Sequence, residues 1–334
     1  MDKLKLTDSN RTLWQARLAP FIPYIAGALI LIILPLFIST YFVSMLTKVL
    51  IFAIFAMSLD LLVGYTGLLS LGHAAYLGVA GYTAGILMVH YGIESLCLVL
   101  PLSILMAGIA AAIIGYLALR VSGVYFLLIT IAFGQLLAVA AVRWKTMTGG
   151  TNGLIGIPYP NLGLPGFTWA GSSYYYLVFV VFVICFLLLY RITKSTFGQA
   201  LVGIRENEMR MQCLGYNTWA HKYVAFIVAG LFAGVAGSLF APFYGIMVPG
   251  YLGITTSTTV MLMVIIGSAG TLFGPVLGSA LIVFLEHFAS LYAPERWPLI
   301  LGAVFVICVM FIRGGFGIYI PRFWKGMRIR LWKC

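Results

Sequence analysis

Ten apolar stretches run along this chain, most of them too long for a water-soluble core: residues 21–38, 43–63, 67–90, 96–119, 122–142, 173–190, 223–246, 254–267, 271–290 and 297–312. A helix needs about 20 mostly apolar residues to cross the hydrocarbon layer of a bilayer. Within that layer only helices and closed barrels satisfy the backbone hydrogen bonds. Runs that stay apolar residue after residue suit helices, because barrel strands alternate apolar and polar positions. Composition agrees: 8% of residues are charged, against about 25% in a soluble domain. The expected fold class is all-α, a polytopic integral membrane protein with about ten transmembrane or half-spanning helices. The connecting segments leave no room for a soluble ATPase or catalytic domain. Residues 254–267 form the shortest run and open on Thr and Ser, so a re-entrant or half-length helix is expected there.

The formal net charge is +12, but the basic residues sit at the ends of the apolar runs. That is the pattern of the positive-inside rule, not of the continuous solvated patch that binds nucleic acid. With an inside N-terminus, the alternation of spans puts Arg120, residues 191–222 and residues 313–334 on the same side. Sixteen of the 20 basic residues then lie inside, leaving Lys48, Arg143, Lys145 and Arg296 outside. The expected layout is a cytoplasmic segment over 1–20, a membrane domain over 21–312 with an external loop at 143–172 and a cytoplasmic segment at 191–222, and a basic cytoplasmic tail over 313–334. Both termini are cytoplasmic in this scheme. The first run is longer than a typical signal peptide core and no A-x-A site follows, so it is expected to remain as a span. The five cysteines are scattered, without a CxxC pair or a His at metal-ligand spacing, and no metal site is expected.

Glycine concentrates in one place, at positions 64, 67, 72, 78 and 81. Missing side chains allow either close helix packing or unwinding toward a ligand. Thr66, Ser70 and His73 add polarity to the same stretch. Gly64, Thr66, Gly67, Ser70, Gly72 and His73 are therefore candidate pathway residues, with helix packing an equally good reading. A faint echo between Gly67-Leu-Leu-Ser-Leu-Gly72 and Gly270-Thr-Leu-Phe-Gly274 hints at an internal repeat. Asp60 lies near the inner end of the second run. Glu94, Glu286 and His287 fall at outer ends, where they reach the interface. No carboxylate is clearly placed at mid-membrane, which argues against ion coupling.

Two connections are longer than the rest. The external one carries Thr148, Gly149, Gly150, Asn152 and Gly153 in a run too rich in Gly and Pro for a continuous helix. In the cytoplasmic one, Phe197, Ala200, Leu201 and Ile204 recur at helical spacing. That stripe, beside the mixed charges of Arg205, Glu206, Glu208 and Arg210, suits a groove on a protein partner better than an anionic lipid surface.

Taken in order, GYTGLLSLGHAAYLGVAGYTAG, RVSGVYFLLITIAFGQLL, TGGTNGLIGIP, STFGQALVGIRENEMRMQCLGYN and GTLFGPVLG closely resemble the permeases of branched-chain amino acid ABC importers. More narrowly, the chain resembles the LivM type and its urea and amide relatives. The resemblance covers about Leu50 to Gly317. It implies a permease subunit in a bacterial inner membrane that passes branched-chain amino acids or a similar small polar solute inward. It further implies a homologous second permease, ABC ATPase subunits and an external solute-binding protein as partners, with no cofactor and no catalytic residue in this chain. By the same resemblance Gly198, Ala200, Arg205, Glu206, Asn207, Glu208 and Gly215 would be ATPase-coupling residues, alongside Phe197, Leu201 and Ile204 from the stripe. The sequence departs from the pattern at Gln199, Gly203, Met211 and the RGGFG tail. An ion-coupled carrier or passive channel, or a membrane assembly subunit that transports nothing, would be the alternatives.

Overall fold

The computed structural model describes residues 31–35, 37–161 and 173–292, with 299, 302, 303, 306 and 310 beyond them. The first and last apolar runs, both termini and residues 162–172 fall largely or wholly outside that range. The long helices are α1 (Thr40–Asp60), α3 (Leu96–Ala118), α4 (Val124–Arg143), α5 (Ser173–Lys194), α8 (Thr218–Tyr244) and α10 (Phe273–Tyr292). Two apolar helices are shorter, α2 (Ala74–Val89) and α9 (Ile254–Gly267). At 1.5 Å per residue they reach only about 24 Å and about 21 Å, less than the roughly 30 Å needed to cross. Two further helices, α6 (Thr196–Glu206) and α7 (Glu208–Cys213), follow α5. Strand β1 (Leu154–Ile155) pairs antiparallel with β2 (Ile246–Met247).

Chain order and apolar periodicity do not say which helices are central, and packing supplies the answer. Helix α8 lies against α3, α2 and α1, while α1 also meets α10 and α5. Both central helices are buried over most of their length, whereas α3, α4 and α5 leave more than half of theirs uncovered. In a bilayer, helices gain little from hiding apolar surface from one another, so close approach through small residues supplies the cohesion. Gly230 and Gly234 of α8 meet the methyls of Ala111 and Ala107 on α3, and Gly237 lies on the Leu77 carbonyl of α2. Aromatic edges fill the remaining gaps, as where Phe226 meets Tyr76 at 5.8 Å and Phe126 at 6.1 Å between centroids.

The structure corrects one boundary with consequences for function. The expected span over 67–90 is helical only from Ala74. Helix α1 continues as a π-helical turn, Leu61–Thr66, and ends at Gly67 with φ 77°. Residues 67–72 are non-helical and, around Ser70 and Gly72, buried or half-buried. Only a glycine enters the left-handed region there without a steric penalty. The short helix expected at 254–267 is observed, and the segment between α5 and α8 holds two helices where one was expected.

Candidate functional site

The unwound stretch after α1 meets the turn between α9 and α10, which contains the echoed Gly270 motif. Gly64 lies so close to Gly270 that a Cβ at position 64 would overlap the Gly270 nitrogen and Asp60 Oδ1. Asp60 closes this seam: its Oδ1 accepts the Gly270 N–H at 2.7 Å. The carboxylate is fully buried and its Oδ2 has no hydrogen-bond partner among the described residues. Gly72, at the other end of the stretch, rests on the Thr130 carbonyl of α4. Helix α9 is tied in where the Ala74 N–H donates to Ser257 Oγ at 3.0 Å.

The six candidate pathway residues are brought together, but for different reasons. Gly64 and Gly72 allow backbones to meet, Gly67 leaves room for the Arg205 side chain, and Thr66 turns its hydroxyl to the Leu61 carbonyl at 2.8 Å, closing the π turn. The polar character lies in Ser70 and His73, both fully buried. The His73 ring stacks on Phe55 at 5.4 Å, and its Nε2 shares a hydrogen bond with Ser58 Oγ at 2.9 Å. His73 Nδ1 and Ser70 Oγ are without partners among the described residues. Buried polar groups left unpaired are costly in an apolar setting. They give this break a polar interior.

The segment between α5 and α8 lies directly beneath the seam, with α6 against the π turn, α5 and α8. Its three N-caps are side chains made for the purpose: Ser195 for α6, Asn207 for α7 and Asn217 for α8. The apolar stripe faces inward. Ala200, Leu201 and Ile204 are buried in this chain, and half-buried Phe197 stacks on His221 at 5.8 Å. The expectation that these residues fill a partner's groove is therefore corrected, because the chain's own bundle already occupies their face. Outward lie Gln199, Glu206, Asn207 and Arg210, together with the apolar Met209 (71% exposed), Leu214 (66%) and Tyr216. These exposed apolar residues escaped sequence reasoning, since α7 is too short to show a period and Leu214 and Tyr216 lie beyond it. Glu208 is held by Lys222 of α8 at 2.6 Å, and Gly215 at φ 86° ends α7.

At the opposite end, the residues singled out in the loop expected outside are mostly structural. Thr148 is buried, its Oγ1 donating toward the Ala141 and Trp144 carbonyls at 2.6 and 2.7 Å. Gly149 adopts φ 75°, and Gly153 packs on Met247 and Val248. Asn152 and its neighbour Thr151 are exposed at the tip. Lys48 and Glu286, spaced 3.0 Å apart, pair between α1 and α10. No cluster of three or more His, Cys, Asp or Glu able to hold a metal occurs among the described residues.

Comparison with known proteins places these features in context. A family profile described as the branched-chain amino acid transport system / permease component matches residues 41–310. The chain is 28% identical over 298 residues to the high-affinity branched-chain amino acid transport system permease protein LivM of Escherichia coli (strain K12), covering 83% of this chain and 70% of that one. The LivM protein of Salmonella typhimurium matches to the same extent. The LivH permease protein of E. coli (strain K12) is 24% identical over 137 residues, 40% of this chain and 44% of that one. No solved structure matches the chain.

Proposed function

Because the chain belongs to the branched-chain amino acid transport system permease family, we propose that it lines part of an inward pathway for branched-chain amino acids or a closely similar small polar solute, powered by ATP hydrolysis on a separate subunit. The permease role follows from family membership, which also makes this a multi-pass membrane protein without catalysis of its own. Solute, driving force and the remaining partners are inferred. The existence of both LivM and LivH permease proteins among the relatives supports a second, homologous permease completing the pore. A binding protein would then approach the end bearing β1, β2 and the Thr151–Asn152 tip.

One observation carries this reading: a two-helix segment, exposed and partly apolar on one side, is packed on its other side against the π turn whose Gly64 meets the α9–α10 turn. A subunit pressing on α7 can act on that contact without touching the solute. Met209, Leu214 and Tyr216 supply the apolar centre of the docking face. Burying each large side chain contributes roughly 1.5 to 3 kcal/mol. Arg210 and Glu206 at the edge set register more than affinity. Tagging this chain and co-purifying the ATPase tests the assignment. Met209→Asp with Leu214→Asp is expected to abolish ATPase recovery while the second permease still co-purifies. Undiminished ATPase recovery from the double variant would remove α7 from the docking face.

A further inference from the structure

Arg205 sits at the end of α6, in the segment expected to face the ATPase; the residue as a whole is exposed, yet one guanidinium nitrogen reaches the broken segment after α1. Nη1 donates to the Gly64 carbonyl. The Cγ lies 2.9 Å from where a Cβ on Gly67 would stand, and Nη1 lies 3.2 Å from the corresponding point on Gly270. Gly64 belongs to the last turn before the chain unwinds, where carbonyls lose their intrahelical donors, and Arg205 provides one. The buried Asp60 carboxylate, bonded to the Gly270 N–H, lies within the field of the same guanidinium. Three glycines, at 64, 67 and 270, thus form a slot that admits the arginine tip. Two of them, Gly67 and Gly270, hold positive φ of 77° and 82°.

We propose that Arg205 is a positioning residue that latches the inner seam: it holds the broken segment after α1 against the α9–α10 turn, and its withdrawal by movement of α6 lets Gly64 and Gly270 separate. The proposal deepens the permease reading and rests on it for the source of the movement. A helix shift of about 1 to 2 Å is common in such transitions. That shift carries a hydrogen bond beyond its working range. Leu201 and Ile204 keep α6 attached meanwhile, since apolar contact does not depend on such alignment. The latch therefore opens before the segment detaches.

The test uses the assembled complex and spin labels at Leu69 and Ala269, one on each side of the seam, in a background lacking the native cysteines. Both positions are exposed. Arg205→Met is expected to lengthen and broaden the 69–269 distance while ATPase recovery stays unchanged. Solute uptake per ATP should fall about tenfold, as befits a lost charge-assisted hydrogen bond. Arg205→Lys should restore part of both readouts. Gly67→Ala, which sets a methyl against the Arg205 side chain at positive φ, should reproduce the Arg205→Met signature by a separate route. An unchanged 69–269 distance in both Arg205→Met and Gly67→Ala overturns the latch, whatever happens to transport. Loss of ATPase recovery with unchanged distance would make Arg205 a docking contact instead. If the wild-type chain recovers no ATPase, the permease coupling fails, and the label distances still decide the latch.

Discussion

Ile204 shows what a sequence reveals about a residue and what it withholds. Its place in a stripe with Phe197, Ala200 and Leu201 is legible from spacing alone, because helical geometry puts these positions on one face. Which surface that face meets is a matter of tertiary packing, and here it is the chain's own bundle, with Ile204 3% exposed. The consequence is measurable. Ile204→Asp places an unpaired carboxylate in a dry site, at a cost of roughly 3 to 5 kcal/mol. The isolated chain in detergent should therefore lose thermal stability before any partner is added. A variant with wild-type melting that merely fails to retain the ATPase would return the stripe to the interface. Arg205 teaches the converse, since its mixed-charge setting assigns it to a partner-facing edge and only the structure shows its Nη1 on the Gly64 carbonyl. Asp60 and His73 were recognisable as unusual from their setting in apolar runs, though their partners, Gly270 and Ser58, were not.

Among elements, the short ones carry most of the meaning. The polar opening of 254–267 made a half-length helix foreseeable. The break at 67–73 was signalled by the glycines, although packing and unwinding predict the same composition and both occur, Gly72 packing on α4 while Gly67 turns the chain. Helix α7 was invisible as a separate element because Asn207, which caps it by accepting the Arg210 N–H at 2.9 Å, also reads as part of a continuing polar run. Six residues cannot sustain a helix unaided, so the cap matters more here than in a long helix. Asn207→Ala is expected to cost about 1 kcal/mol and to lower ATPase affinity roughly fivefold, without altering the melting of the membrane bundle. Equal affinity in a titration of the two detergent-purified forms would show that α7 keeps its shape without the cap, or that its shape does not matter for docking.

At the scale of the whole molecule, the layout across the membrane rests on the basic residues. Charge counting puts Arg205, Asp60 and the Gly270 turn toward one side of the membrane, and the structure brings them into contact. The loop assigned to the other side pairs through β1 with the far end of α8. Helices too long and apolar for any soluble fold were readable at once, whereas the central position of α1 and α8 depends on which small residues face each other. The absolute orientation is open to a direct check with Cys213 on α7 and Cys97 at the start of α3, both exposed. In intact spheroplasts carrying one cysteine at a time, a membrane-impermeant maleimide should label Cys97 and spare Cys213, and the opposite pattern would invert the topology. The central claim, that this chain passes solute only when an ATPase drives it, is tested most directly in proteoliposomes. The complex of this chain, the second permease and the ATPase would be loaded with internal ATP and offered labelled leucine with its binding protein outside. ATP-dependent accumulation that vanishes when the ATPase or this chain is omitted is the predicted result; accumulation by this chain without ATP would contradict it.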